Sequence, residues 1–157
     1  MYRALFLLTH DIGRATALIV MRDLDHIPAR RRGFAQALKM SPPDCVVVAG
    51  FPNPEVEAWF LSGLKPADSL RHEQLCRELH FDPCEAPHRL SSTKRASPDD
   101  AKRVWRELGV DDDAVVHECL SAPFEVLRRR GAGAGVGDFL DELERIAALF
   151  GAVRPAS

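Results

Sequence analysis

Two short runs of uninterrupted apolar residues constrain this chain more than any other feature. Ala17-Leu18-Ile19-Val20-Met21 and Cys45-Val46-Val47-Val48-Ala49-Gly50 do not alternate polar with apolar residues. Each therefore reads as a strand covered on both faces, as in a parallel sheet flanked by helices. Residues 33–40 between them read as a helix, and a strand–helix–strand unit of that length suits a right-handed parallel crossover. Beyond the second run, Asn53 is placed as an N-cap and Pro54 as the first helical residue. Glu55 then falls in the first turn, where the helix dipole favours a carboxylate.

The second half is mostly helical in character. Ser97-Pro98-Asp99-Asp100 starts a helix that carries Ala101, Val104, Trp105 and Leu108 at helical spacing and stops at Gly109. Further helices are expected over residues 123–130 and 138–150, the last one through Phe139, Leu143, Ile146 and Phe150. Residues 131–137 (GAGAGVG) form a flexible hinge between them. At the N-terminus, residues 9–16 are too few for a parallel crossover into the first strand. A helix through Tyr2, Leu5 and Leu8, ending near Gly13, is the better reading. The expected fold class is α/β: a small, mostly parallel sheet flanked by helices, with a mostly helical C-terminal half. The 157 residues make one domain, with 1–65 forming the sheet and 66–157 the helical part.

A composition of 46% hydrophobic and 28% charged residues is that of an ordinary soluble protein. The net charge of −2 supplies no global field for nucleic acid or an anionic membrane. Residues 1–8 are apolar but too short for a membrane span or a signal peptide. Cys45, Cys76, Cys84 and Cys119 are scattered, without a C-x-x-C pair. That spacing argues against a disulfide framework and a structural zinc site, and for a reducing, cytoplasmic setting.

The chemistry concentrates around Arg22-Asp23-Leu24-Asp25-His26. Residues two apart on a strand face the same way, so Asp23 and Asp25 converge at the carboxyl end of the first strand, where open α/β sheets place ligands. A hard divalent cation such as Mg²⁺ or Mn²⁺ relieves the repulsion of two such carboxylates. The competing reading is a polar turn in which one aspartate caps the next helix. Glu55 and Glu57 reach the same edge from the second strand. For Glu55 the dipole role is preferred; Glu57 is either a further ligand or a solvated, salt-bridged residue. Trp59 and Phe60 read as core. Arg30-Arg31-Arg32 either holds phosphate oxygens beside the metal or forms a solvated helix face. In a mixed reading, one of the three pairs with Asp23, Asp25 or Glu57. Lys94 and Arg95 offer a loop contact to phosphate, and Lys102 either reaches inward or is solvated. Arg128-Arg129-Arg130 complements a helix C-terminus. The G-x-G-x-G stretch follows a helix, not a strand, so it lacks the dinucleotide context. No G-x-S-x-G elbow and no metalloprotease histidine spacing occurs.

The order RDLD, H, ARRRGF, helix, VVVAGFPNPEVEAWFL, followed by DAKRVW, ECLSAPFEVLRRRG and FLDELE, resembles small bacterial proteins with a Toprim-like domain. These are relatives of the nuclease domain in OLD-family (overcoming lysogenization defect) proteins. The resemblance implies a Toprim-like sheet with Mg²⁺ on the D-x-D of Asp23 and Asp25. It also implies a glutamate at the end of an earlier strand for acid–base chemistry. No glutamate precedes Glu55, so the resemblance expects either a start upstream of Met1 or loss of that residue, with Glu57 the nearest substitute.

The expected activity is that of a Mg²⁺-dependent phosphodiester nuclease, a hydrolase in defence against mobile elements. Asp23, Asp25 and Glu57 would be its catalytic residues, and Arg30, Arg31 and Lys102 its phosphate-binding ones. Nucleic acid and, by family analogy, an ATPase are the expected partners. Two alternatives stand beside it: a catalytically degenerate Toprim-like binding or regulatory subunit, and a small-molecule phosphoesterase.

Overall fold

The computed structural model describes residues 17–39, 46–92, 97–109 and 113–149. The expected N-terminal helix, Cys45, Lys94 and Arg95 lie outside them. The two apolar runs form Ala17–Met21 (β1) and Val46–Gly50 (β2), paired in parallel from Ala17↔Val46 to Met21↔Gly50. Pro28–Leu38 (α1) crosses between them and buries Phe34 and Ala37. It begins earlier than the apolar pattern alone indicates, because Pro28 has the fixed φ that suits a first helical position. The three arginines therefore lie inside the helix.

The strands are not equally covered. Val48 and Gly50 of β2 are buried, with Val136–Leu149 (α7) packed along that strand. In β1, Ile19 and Met21 remain 61% and 46% exposed. Among the described residues β1 pairs only with β2, and the exposure of Ile19 and Met21 shows that its apolar run is not covered on both faces as expected.

Val56–Gly63 (α2) is the central helix and is buried around most of its circumference. Ala58 and Trp59 pack with Leu127, Val136 and Leu140 of Phe124–Arg130 (α6) and α7. Leu61 faces a second cluster built from Ser69–Leu79 (α3), Ala101–Leu108 (α4) and Asp113–Leu120 (α5), including Leu79, Val104, Trp105 and Cys119. Such a helix has no polar stripe. Its one buried hydroxyl, on Ser62, donates to the Ala58 carbonyl at 2.9 Å. Asp68 and Asp100 cap α3 and α4, accepting from Arg71 and Arg103 backbone N–H groups, each at 2.9 Å. No helix among the described residues is long and apolar enough to cross a membrane.

Two local expectations are corrected. The helix after β2 starts at Val56 with Glu55 as its N-cap; Asn53-Pro54 is a cis peptide ahead of it. Asn53 is committed elsewhere, since its side chain accepts from the His26 N–H at 3.2 Å and its own N–H donates to Ala134. Residues 131–137 are also not a free hinge. A 3-10 turn, Ala132–Ala134, packs on the loop after β2, and the Ala134 carbonyl accepts from Asn53 N–H at 3.1 Å and Trp59 Nε1–H at 2.7 Å. Gly135 has φ +87°, and a Cβ there would stand 2.6 Å from the Phe51 carbonyl oxygen. Gly135→Ala is expected to lower unfolding free energy by about 1–2 kcal/mol through the left-handed penalty and that contact. Urea denaturation measures it, and an unchanged midpoint would contradict the docked loop.

Candidate functional site

Parallel pairing brings the carboxyl ends of β1 and β2 together, and α4 contributes from beyond them. Past Met21 the chain stays alongside β2. The N–H groups of Arg22, Leu24 and Asp25 donate to the carbonyls of Gly50, Pro52 and Pro54 at 3.0, 2.8 and 2.9 Å. Pro52 and Pro54 have no N–H to return, so the pairing is one-sided and the strand ends. Asp25 and His26 then turn through left-handed backbone, φ 47° and 56°. His26 Nε2–H donates to the Leu90 carbonyl at 2.8 Å and so fastens this turn to the segment before α4.

This turn interrupts the strand alternation, yet Asp23 and Asp25 still border one depression. Asp25 forms an ion pair with Arg30 of α1, whose guanidinium also donates to the Asp23 carbonyl at 3.2 Å. One arginine of the run thus pairs with one aspartate, as the mixed reading anticipated. Met21, Arg22, Asp23, Asp25 and Arg30 line an open depression of about 300 Å³. Arg31 is directed away from it: it pairs with Asp138 of α7 at 2.8 Å and lies over the Phe51 ring at 5.5 Å. Its expected place beside the metal is corrected accordingly. Arg31 instead helps line a separate cavity of about 340 Å³ with Leu24, Phe51, Asn53, Asp138 and Phe139.

The strand end carrying Glu55 and Glu57 holds more than expected. Glu55 stands at the N-cap of α2, where its charge faces the helix dipole as expected, and it is also buried. Only 9% of its side chain is exposed, and Oε1 accepts from Lys102 Nζ of α4 at 2.7 Å. Its other oxygen, Oε2, and Glu57 Oε2 are buried without a hydrogen-bond partner among the described residues. Burial pushes the Glu57 carboxyl above its ordinary value. Its backbone hydrogen bond and the Lys102 charge oppose the rise, whereas Glu55 and Asp23 reinforce it. The hydrogen bond to Glu55 in turn raises the Lys102 ammonium. Asp23, Glu55, Glu57 and Lys102 therefore share one electrostatic environment; Asp25 and Arg30 neutralise each other at its rim.

The donor set is oxygen-rich and includes two orphaned carboxylate oxygens, which fits a hard cation such as Mg²⁺ or Mn²⁺. Asp23, Glu55 and Glu57 are the carboxylates that share this strand end, although their oxygens do not all lie within 4.8 Å of one another. Of the D-x-D pair, Asp25 is ion-paired with Arg30, and both aspartates line the same open depression. Sequence reasoning undervalued Glu55. The available signal was its separation of two residues from Glu57, together with an inward-reaching Lys102. Compared with known proteins, the chain matches no family model, no curated protein and no solved structure.

Proposed function

We propose that the strand-end carboxylates form a divalent-cation site for phosphodiester hydrolysis, with nucleic acid as the substrate class suggested by the Toprim resemblance. The observation that carries this reading is the pair of buried, unpartnered oxygens, Glu55 Oε2 and Glu57 Oε2. Desolvated carboxylates without donors are costly and gain most from a cation. Mg²⁺ or Mn²⁺ bound there supplies Lewis-acid polarisation of a phosphoryl oxygen and a more acidic water. Asp23 and Glu55 act as oxygen donors. Glu57, with its proton affinity raised by burial, is the carboxyl best suited to proton transfer. Lys102 holds Glu55 in place, and Arg30 at the depression's rim orients an incoming phosphate from beside its Asp25 counter-ion.

A second reading has an observation of its own. Asp25–Arg30 and Glu55–Lys102 are internal counter-ion pairs, as expected of a degenerate, non-catalytic Toprim-like subunit. Calorimetric titration with Mg²⁺ and Mn²⁺ separates the two. Wild-type protein is expected to bind at millimolar concentration or tighter, and Asp23→Asn to weaken binding at least roughly tenfold through loss of a charged ligand. Binding of neither ion would sink the catalytic reading. If ions bind, single-stranded DNA, duplex DNA and a small phosphodiester then sort the substrates.

A further inference from the structure

We propose that His72, Cys76 and Asp82 form a second, separate site for a thiophilic divalent cation, Zn²⁺ being the natural occupant. This goes beyond the strand-end reading and does not depend on it. His72 and Cys76 stand one turn apart on α3, so they share a face. Ser69–Leu79 ends at His80 in left-handed backbone, φ 60°, which reverses the chain and brings Asp82 back against that face. The Asp82 carboxylate is held there because Oδ1 also accepts from the Cys84 and Glu85 N–H groups at 2.8 and 3.3 Å. Ligand atoms of all three residues lie within 4.8 Å of one another; none of Asp23, Asp25, Glu55 and Glu57 belongs to such a group among the described residues.

The spacing has the dimensions of a metal polyhedron. His72 Nε2 is 3.1 Å from Asp82 Oδ1 and 3.5 Å from Cys76 Sγ. Tetrahedral zinc with ordinary bond lengths has N···O and N···S edges of about 3.4 and 3.6 Å. Without a cation a single imidazole nitrogen serves both neighbours. Nε2 carries at most one proton: if it donates to Asp82 it cannot accept from the Cys76 thiol, and if it accepts it has nothing for the carboxylate. A cation at the common centre would be met by the imidazole nitrogen, the Cys76 sulfur and the Asp82 carboxylate together. Sulfur and imidazole ligands select Zn²⁺ over Mg²⁺, the reverse of the strand-end carboxylates. The His72 and Asp82 side chains are 23% and 34% exposed, leaving a path in and a fourth position for water. The cation would staple the end of α3 to the turn that carries buried Cys84.

Cobalt titration of the reduced full chain tests this. Wild-type protein is expected to give one equivalent of a thiolate-to-Co²⁺ charge-transfer band with tetrahedral d–d absorption, displaced by Zn²⁺ and unaffected by excess Mg²⁺. Cys76→Ala should abolish the band. His72→Gln, at a partly exposed position, should weaken Co²⁺ by more than the roughly 10–100-fold that loss of an outer-shell partner costs. Circular dichroism confirms that both variants are folded. Absence of the band in wild type, its persistence in Cys76→Ala, or displacement by Mg²⁺ would each overturn the proposal. None of these outcomes bears on Asp23, Glu55 or Glu57, so failure here is distinguishable from failure of the strand-end site.

Discussion

Gly63→Ala is expected to be among the most destabilising single substitutions in this protein, costing about 3 kcal/mol or more. The helix α2 meets α5 so closely that a Cβ at Gly63 would stand 1.9 Å from the Cys119 carbonyl oxygen and 2.7 Å from its carbon. These are backbone atoms, so no rotamer change relieves the clash; the helices must separate. Separation would open the cluster of Leu61, Val104, Trp105 and Cys119 on one side of α2. Overpacking a filled core ordinarily costs about 1–3 kcal/mol, and a rigid neighbour places this site at or above the upper end. Alanine is otherwise the better helix former by about 1 kcal/mol, so propensity alone predicts stabilisation. Urea unfolding decides the sign: a higher midpoint would mean that α2 and α5 are farther apart than described.

The second large effect is expected at Glu57, where stability and function move in opposite directions. Its folded carboxyl binds a proton more tightly than the ordinary value of 4.5, chiefly through burial. The folded chain therefore keeps a proton that the unfolded chain releases. The associated stability is full below pH 4.5 and lost as pH rises through the folded value. Above its folded value, the ionised Glu57 opposes folding. Glu57→Gln removes that cost, and the new amide N–H₂ has the Glu55 and Asp23 carboxylates nearby as acceptors. The variant should melt higher than wild type at pH 7–8, with the difference disappearing below pH 4.5. Under the cation-site reading the same change should cost phosphodiester hydrolysis about 10²–10⁴-fold, the usual range for loss of a positioned acid–base group. Thermal melts across pH, alongside hydrolysis assays, provide the check. Destabilisation at pH 7 would refute the account of Glu57 as a burdened carboxylate.

Stability held back at a functional group is a common arrangement, because a site must carry charge where folding alone would place none. Here the burden is uneven. Asp25 and Glu55 each have an internal cation, but Glu55 Oε2 and Glu57 Oε2 do not have a hydrogen-bond donor among the described residues. The strand-end proposal rests on that asymmetry.

Much of the frame was legible from residues in order. Uninterrupted apolar runs at 17–21 and 46–50 implied parallel strands joined by a helix, and Asp100 with Gly109 bounded α4 as its cap and stop. Such signals are local: burial of a strand or a helix face needs only the right period and suitable ends. Helices α3 and α5 were not individually expected, and α3 carries few apolar residues. The partners of charged side chains were legible only in part. The order of residues suggested that an arginine of 30–32 meets an acid and that Lys102 could turn inward. Only tertiary structure chose Asp25 for Arg30, sent Arg31 to Asp138 and joined Lys102 to Glu55 across 47 residues. It also brought Asp82 back to His72 and Cys76. Hydrophobic burial is non-directional and tolerates small shifts, so a pattern suffices to foresee it. An ion pair or a ligand set depends on placement to within an ångström or two, and that is decided only when distant elements pack.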